Sequence, residues 1–259
     1  MSVFSFIFDF YSNFPGEKGV IGSSFFGVPI LYMAVKKTDN PKVIFSYAIH
    51  GREYLTAFLA LEQIKEFINK GTVGTAYFIP LVNPDGVDIA TKSSPLYKAN
   101  GRGVDLNVNF DASWGTGARN CTKRGTENYI GEKPFSEPES IALRDFTQKI
   151  MPSATVSYHL KGEEIYWDFH QKGKLKKDSY SLAKAVQKVT GYKIKRTPDS
   201  AGGYKDWCID KLKIPSITIE VVSDSLSHPI TIENLEDVFK VNKGVVEAVI
   251  NSVRSNAKC

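Results

Sequence analysis

The stretch KVIFSYAIHGREYLTAFLALEQIKEFINKG, residues 42–71, joins two different hydrophobic patterns. Its first part, KVIFSYAIH (42–50), is an almost continuous apolar run, which predicts a buried strand. From Glu53 to Asn69 the apolar residues recur at helical spacing, and Gly71 ends that pattern. A buried strand followed at once by an amphipathic helix is the repeating unit of α/β proteins. This stretch therefore predicts an α/β fold.

The same alternation continues along the rest of the chain. Further predicted strands cover 29–37, 75–82, 154–160 and 216–222, and further predicted helices cover 136–150, 179–191 and 235–254. NPDG (83–86) has the composition of a turn. We predict one domain over residues 1–259, built on a mixed, mostly parallel twisted sheet with helices on both faces. In such sheets ligands bind at the carboxyl ends of the strands.

Composition excludes several classes of partner. The chain has 259 residues and a net charge of +5, and its basic residues are scattered apart from KGKLKK (172–177), so we expect no nucleic-acid binding. No apolar run reaches the roughly 18 residues of a membrane span, so we expect no membrane partner. The apolar start MSVFSFIFDFYSNFP (1–15) has no basic segment and no small-residue cleavage site. We interpret it as folded structure rather than as a signal peptide.

The cysteines bear on the compartment. Cys121, Cys208 and Cys259 are odd in number and lack metal-binding spacing, which argues against a disulfide framework and favours a reducing environment. We therefore expect a cytoplasmic protein, with release by a leaderless route as the alternative. We also expect a monomer.

HGRE (50–53) places a histidine at a predicted strand end and a glutamate at a helix start. Catalytic zinc uses three protein ligands and one open position, and His50 and Glu53 can turn toward one ion. Of the other histidines, His159, His170 and His228, only His159 ends a strand-like run, ATVSYHL (154–160). A histidine at a strand end is more often a hydrogen-bonded structural residue than a ligand. The residues alone leave both interpretations open.

An ordered set of motifs identifies a resemblance. The motifs, in chain order, are HGRE (50–53), NPDG (83–86), GVDLN (103–107), NYIGEKPFSEPES (128–140), SYH (157–159), GGYKDW (202–207) and TIE (218–220). In this order they resemble the M14 zinc carboxypeptidases over about residues 20–225. The segment SAGGYKDWCIDKLKIPSITIEV (200–221) is most similar to the bacterial branch that cleaves peptidoglycan stem peptides, the γ-D-glutamyl-diaminopimelate peptidases.

The resemblance implies a metal site and a base. It makes His50, Glu53 and His159 the ligands of one Zn²⁺ per chain. Asp105 corresponds to an aspartate that hydrogen-bonds the far nitrogen of the first histidine, although a turn residue is the alternative interpretation. Glu220 corresponds to the general base, which takes a proton from water and passes it to the departing amine. A structural salt bridge is the alternative for Glu220.

The oxyanion that forms during peptide hydrolysis needs a positive group nearby. Lys98 falls where relatives carry a lysine or arginine, and Arg102 is close enough in sequence to take the same role. Arg52 is a further cation that can border the site. We favour Lys98 as the catalytic cation, and we keep Arg102 as the alternative and as a candidate for binding substrate.

Two substitutions bear on the substrate. DLNVNF (105–110) has Val108 where the family's carboxypeptidases have the arginine that binds a terminal carboxylate, and valine cannot form that ion pair. Asn107 can still hydrogen-bond a carboxylate or amide. Lys205 falls at the family position that sets side-chain specificity, where it favours an acidic substrate unless it points to solvent. We expect Tyr204 beside it to contact substrate, and YWDF (166–169) to pack in the core.

These expectations favour an enzyme for an acidic cell-wall peptide. The predicted function is zinc-dependent hydrolysis of the γ-D-glutamyl-diaminopimelate bond in a peptidoglycan stem peptide or muropeptide, with Glu220 as the base. The alternatives are a metallocarboxypeptidase that removes C-terminal residues from peptides, and a non-catalytic module that binds cell-wall peptides.

Overall fold

One eight-stranded mixed sheet runs through the computed structural model, which describes residues 2–256. The strands are β1 (Glu17–Ser23), β2 (Pro29–Lys36), β3 (Lys42–Ser46), β4 (Thr75–Ile79), β5 (Ala154–Leu160), β6 (Glu164–Tyr166), β7 (Lys193–Lys195) and β8 (Ser216–Val221). Their order across the sheet is β1-β2-β4-β3-β5-β8-β6-β7. The central strands β4, β3, β5 and β8 are parallel, whereas β2 and β6 pair antiparallel at either side. The predicted mixed, mostly parallel sheet is confirmed.

Helices cover both faces of this sheet. They are α1 (Val3–Asn13), α2 (Leu55–Lys70), α3 (Pro84–Lys92), α4 (Pro138–Ile150), α5 (Gly173–Thr190), α6 (Tyr204–Asp210), α7 (Leu235–Asn242) and α8 (Val245–Asn256). One apolar core joins the sheet to α1, α2, α5, α7 and α8, and a second joins its other face to α4 and α6. Alternate side chains of β3 and β4 enter the two cores, which is why these strands are largely apolar. Strands β5 and β8 place apolar side chains on one face only, and their other face carries polar residues, among them His159 and Glu220.

Two helix boundaries differ from the sequence prediction. NPDG (83–86) is the start of α3 rather than a turn, because Asn83 Oδ1 accepts a hydrogen bond from Gly86 N at 2.9 Å and Pro84 occupies the first helical position. The predicted helix over 235–254 is divided into α7 and α8. Gly244 separates them with a φ of +84°, a conformation that glycine adopts without strain.

Several short elements were not predicted from the sequence. Strands β6 and β7 have only three residues each, which is too short for a periodic pattern to be recognised. In YWDF (166–169), Trp167 and Phe169 are buried in the core as predicted, but Tyr166 ends β6 and is only partly buried. This short strand matters because it lies directly beside β8.

The remaining expectations concern thiols and membranes. Cys121 and Cys208 are free thiols, and Cys259 lies outside the described residues. Within residues 2–256, no helix combines the length and the apolar character that crossing a membrane requires.

Candidate metal centre

His50 and Glu53 lie on one tight turn between β3 and α2. The turn is a 3₁₀ helix over Gly51–Glu53, and Glu53 N donates to His50 O at 3.1 Å. Gly51 is pressed against the α3 backbone, since a Cβ atom added there would lie 2.3 Å from Gly86 O. The absence of a side chain at this position therefore lets the turn approach α3. As a result, the imidazole and the carboxylate face each other, with His50 Nδ1 2.8 Å from Glu53 Oε1.

His159 joins this pair from the neighbouring strand. It is the residue before the last in β5, which runs parallel to β3, so both strands present their carboxyl ends at the same edge. His159 Nδ1 lies 3.2 Å from His50 Nδ1 and 3.1 Å from Glu53 Oε2. All three side chains are buried, and their ligand atoms form a group able to hold a metal ion.

The spacing of these donors fits zinc. Tetrahedral coordination at about 2.0–2.1 Å places neighbouring ligand atoms about 3.3 Å apart. The two imidazole nitrogens are 3.2 Å apart, and one Glu53 oxygen lies 2.8 Å from His50 while the other lies 3.1 Å from His159, so the separations are close to that value. Among residues 2–256, the buried Glu53 Oε2 atom has no partner with hydrogen-bonding geometry. Two imidazole nitrogens and a carboxylate are also the donor set of many catalytic zinc sites.

Asp105 and Lys98 lie on the side of the His50 ring that faces away from the metal group. Asp105 Oδ1 accepts hydrogen bonds from Asn107 N at 2.9 Å and from His50 Nε2 at 3.1 Å. Its other oxygen lies 2.7 Å from Lys98 Nζ, which also donates to Asn128 Oδ1 at 2.6 Å. The bond expected at the far nitrogen of His50 is therefore present. It holds the ring so that Nδ1 points to the metal site.

Charge in the site is set by burial and by these pairings. Burial lowers the pKa of His50, but the carboxylates of Glu53 and Asp105 outweigh burial and raise it to about 9. Burial raises the pKa values of Glu53 and Asp105, yet their cationic neighbours hold both well below the ordinary range. Burial lowers the pKa of His159, which favours its neutral form. The ionised carboxylates give the site the negative charge that suits a divalent cation, which on binding would displace a proton from His50.

Glu220 lies beside the metal group. It pairs with His159 in the parallel register of β5 and β8, so both side chains leave the same face about 4.8 Å apart. Burial and the negative charge of Glu53 raise the pKa of Glu220 well above its ordinary value. A carboxyl group with raised proton affinity next to a metal site can accept a proton from water and release it later.

The candidate cations occupy different surroundings. Lys98 touches Asp105, which in turn touches His50. Arg102 lies farther along the loop, with Nε 3.9 Å from Glu137 and its guanidinium 5.4 Å from the Phe25 ring centre. This placement favours Lys98 over Arg102 as the cation near the metal, although its role at the oxyanion stays a prediction.

Arg52 lies on the solvent-exposed side of the site, against Leu96 and Glu127. Its Nη2 atom lies 3.0 Å from Glu127 Oε1, and its Nη1 atom donates to Leu96 O at 3.4 Å. Leu96, Glu127, Lys98 and Asp105 line one cleft of about 330 Å³.

Two residues predicted to bind substrate, Asn107 and Lys205, already have hydrogen-bond partners within the protein. Asn107 is partly buried, and its Oδ1 atom accepts a hydrogen bond from Tyr204 N at 3.2 Å. Lys205 is 5% exposed, so it does not point to solvent. Its ammonium pairs with the Asp206 carboxylate and donates to Asp168 O at 3.0 Å. A substrate carboxylate would therefore meet an ammonium that already has partners.

The expected contact between Tyr204 and substrate does not fit the structure. Tyr204 is completely buried, and its hydroxyl lies 2.8 Å from Thr147 Oγ1. It is the first residue of α6, whose direction turns the ring into the core against Phe110 and Trp207. Sequence position next to Lys205 did not show on which side of the helix the ring would lie.

Two residues near the site, Glu164 and Asn128, were not expected there from the sequence. Glu164 lies opposite Glu220 in the antiparallel pairing of β6 and β8, and Asn128 holds Lys98. The segment EEIY (163–166) shows no alternation that would indicate β6, and nothing in the sequence around Asn128 indicates its contact with Lys98.

Comparisons with known proteins agree with this geometry. A family model described as zinc carboxypeptidase matches residues 12–237. Gamma-D-glutamyl-L-diamino acid endopeptidase 1 of Lysinibacillus sphaericus is 26% identical over 261 residues, covering 87% of this chain and 65% of that protein. Murein peptide amidase A of Escherichia coli K12 is 28% identical over 232 residues, covering 83% of this chain and 86% of that protein. The chain thus spans slightly less than two thirds of the first relative.

A solved structure shows the same fold. The chain superposes on bovine thrombin-activatable fibrinolysis inhibitor, solved in complex with tick carboxypeptidase inhibitor, with a TM-score of 0.85 at 21% identity. The alignment covers 99% of this chain and 98% of that chain. At this identity the likeness establishes the architecture alone.

Proposed function

The chain belongs to the zinc carboxypeptidase family, and from that premise we propose that it is a zinc metallopeptidase acting on peptidoglycan stem peptides. The bond it cleaves joins the γ-carboxyl group of D-glutamate to diaminopimelate. The observation that carries the proposal is the convergence of His50, Glu53 and His159 beside the carboxyl group of Glu220. A binding module would have no need for a proton acceptor at that place.

The residues of the site divide the chemistry among them. His50, Glu53 and His159 would hold zinc, which when bound polarises the scissile carbonyl group and lowers the pKa of water. Glu220 takes one proton from the attacking water molecule and delivers it to the nitrogen of the departing amine. One water molecule is consumed, and a carboxylic acid and an amine are released. Asp105 and Lys98 keep the His50 ring oriented during this cycle.

The substrate class is supported by the relatives and by one substitution. The names of the two bacterial relatives refer to a γ-D-glutamyl-diamino acid bond and to murein peptides. Val108 stands where the carboxypeptidases carry an arginine for the terminal carboxylate, so removal of C-terminal residues from ordinary peptides would lack its main anchor. Cytoplasmic location and a monomeric state stay predictions within this proposal.

The test is hydrolysis of L-Ala-γ-D-Glu-diaminopimelate followed by mass spectrometry of the products. We expect L-Ala-D-Glu and free diaminopimelate, loss of turnover after zinc is removed with a chelator, and recovery when zinc is returned. A second substrate, amidated at the α-carboxyl group of diaminopimelate, separates the alternatives.

The outcomes of this test are distinct. Turnover of the amidated substrate supports the proposed peptidase, whereas turnover that requires a free C-terminal carboxylate supports a carboxypeptidase. Binding of the tripeptide without hydrolysis in the zinc-loaded protein would show a binding module and would overturn the proposal.

A further inference from the structure

A mixed cluster of charges lies one strand beyond Glu220. Strand β6 pairs antiparallel with β8, with Glu164 opposite Glu220, and β7 pairs parallel with β6, with Lys195 opposite Tyr166. His159, Glu220 and Glu164 are therefore consecutive across the same face of the sheet. The cluster of Glu164, Tyr166 and Lys195 extends this row away from the metal group.

Within the cluster, contacts hold the Glu164 carboxylate in place, whereas the ammonium of Lys195 can move. Glu164 is 8% exposed, and its Oε2 atom accepts a hydrogen bond from the Tyr166 hydroxyl at 2.7 Å. Its Oε1 atom pairs with the Lys195 ammonium. The Lys195 side chain is 50% exposed, so its long stem can move without disturbing the core.

Packing alone gives no reason for a carboxylate at position 164. Burial disfavours its ionised form, and Glu220 beside it carries a second carboxyl group. The pairing with Lys195 and Tyr166 outweighs burial, and the pKa of Glu164 lies below its ordinary value. An apolar residue would avoid both costs. Buried charges kept close to a catalytic group are more typical of binding sites than of cores.

We propose that Glu164 and Lys195 together bind the far end of a substrate side chain that carries both an ammonium and a carboxylate group. Glu164 accepts from the ammonium, and the ammonium of Lys195 turns to pair with the carboxylate. This inference rests on the proposed function, since the side chain of diaminopimelate ends in such a zwitterion. It assigns the recognition of that end to β6 and β7.

The distances agree with this assignment. The departing amine nitrogen lies at Glu220 when it receives its proton, and Glu164 is one strand spacing away, about 4.8 Å. In diaminopimelate, five bonds of about 1.5 Å separate that nitrogen from the carbon that carries the far charged groups, a reach of about 6 Å when extended. Their ammonium and carboxylate would then lie beside Glu164 and Lys195.

The cluster also predicts discrimination between diamino acids. A lysine residue at the same place ends in an ammonium group alone, so it can use Glu164 but not Lys195. The preference for diaminopimelate over lysine should therefore depend on Lys195, and the binding of both should depend on Glu164.

The experiment compares L-Ala-γ-D-Glu-diaminopimelate with L-Ala-γ-D-Glu-L-Lys in the zinc-loaded protein and its variants. We expect Lys195→Met to raise KM for the diaminopimelate peptide about tenfold, with little change for the lysine peptide. We expect Glu164→Gln to raise KM for both about 10- to 100-fold. Glu163→Gln, which changes the exposed carboxylate next in sequence, is the matched control and should leave both values unchanged.

A binding measurement separates this inference from the proposed function. Calorimetry with free diaminopimelate should show binding to the wild type and weaker binding to Glu164→Gln and Lys195→Met. Such a loss supports the cluster even if neither peptide is hydrolysed, a result that would overturn only the proposed reaction. Equal KM values and equal diaminopimelate binding in wild type and Lys195→Met would overturn the inference while leaving hydrolysis intact. Because Lys195 is half exposed, this variant should fold even if Glu164→Gln does not.

Discussion

Replacing Asp105 by asparagine should weaken zinc binding and destabilise the protein at the same time. Asp105 Oδ1 accepts from two donors, Asn107 N at 2.9 Å and His50 Nε2 at 3.1 Å. The asparagine oxygen must keep that position, so its NH₂ group would face Lys98 Nζ, which now lies 2.7 Å from Oδ2. The amide NH₂ group and the Lys98 ammonium, both hydrogen-bond donors, would then face each other in place of the ion pair between Asp105 and Lys98.

The magnitude follows from these contacts. Removing one partner of a buried ion pair costs about 3–5 kcal/mol. Lys98 keeps its hydrogen bond to Asn128 and is 19% exposed, so we expect the lower end, about 3 kcal/mol of the free energy of unfolding. Loss of the carboxylate behind a liganding histidine lowers metal affinity about 10- to 100-fold. That change corresponds to about 1.4–2.8 kcal/mol of binding free energy.

Two assays measure these effects separately. Competition with a chromogenic chelator gives the zinc dissociation constant, and denaturant unfolding of the metal-free protein gives the stability. Asp88→Asn is the matched control, because Asp88 forms an exposed pair with Lys92 at 2.8 Å. We expect that control to change stability by less than about 1 kcal/mol and zinc affinity not at all. Unchanged zinc affinity in Asp105→Asn would refute the reasoning that Asp105 supports the metal through His50.

Three further changes test other parts of the site. Glu220→Gln should lower kcat about 10²- to 10⁴-fold in a peptide hydrolysis assay while zinc stays bound, and unchanged turnover would remove Glu220 as the base. Gly51→Ala should lower the free energy of unfolding, measured by thermal denaturation, by about 1–3 kcal/mol or more, and should also lower zinc affinity. The reason is that the added Cβ would lie 2.3 Å from Gly86 O. Tyr204→Phe should cost about 0.5–1.5 kcal/mol by losing the hydroxyl contact with Thr147, with kcat/KM unchanged. A large loss of activity in a well-folded Tyr204→Phe protein would restore this side chain to the substrate site.

The parts of the site that were predictable are those held by residues close together in the sequence. His50 and Glu53 are three residues apart at the junction of a strand and a helix, and the local turn brings them together. Motif resemblance added His159 and Glu220, and the structure places both beside that turn. The adjacency of β3, β5 and β8 brings these distant segments to one edge of the sheet.

One expectation, that Tyr204 contacts substrate, does not fit the structure because the orientation of a side chain decides its role. Tyr204 begins a short helix, and the direction of α6 buries its ring in the core. Lys205 follows it and pairs with Asp206, and its role in substrate binding stays a prediction. A motif match gives the position of a residue along the chain. It does not give the side of the helix from which the residue projects.

By itself, the sequence determined the fold class and the local half of the metal site, because hydrophobic periodicity and tight turns depend on neighbouring residues. Tertiary structure decided which strands lie side by side, and so brought His159 to His50 and Glu164 to Glu220. Strand order depends on which apolar surfaces bury one another across the whole domain. No local pattern specifies that, and a three-residue strand such as β6 carries almost no pattern at all.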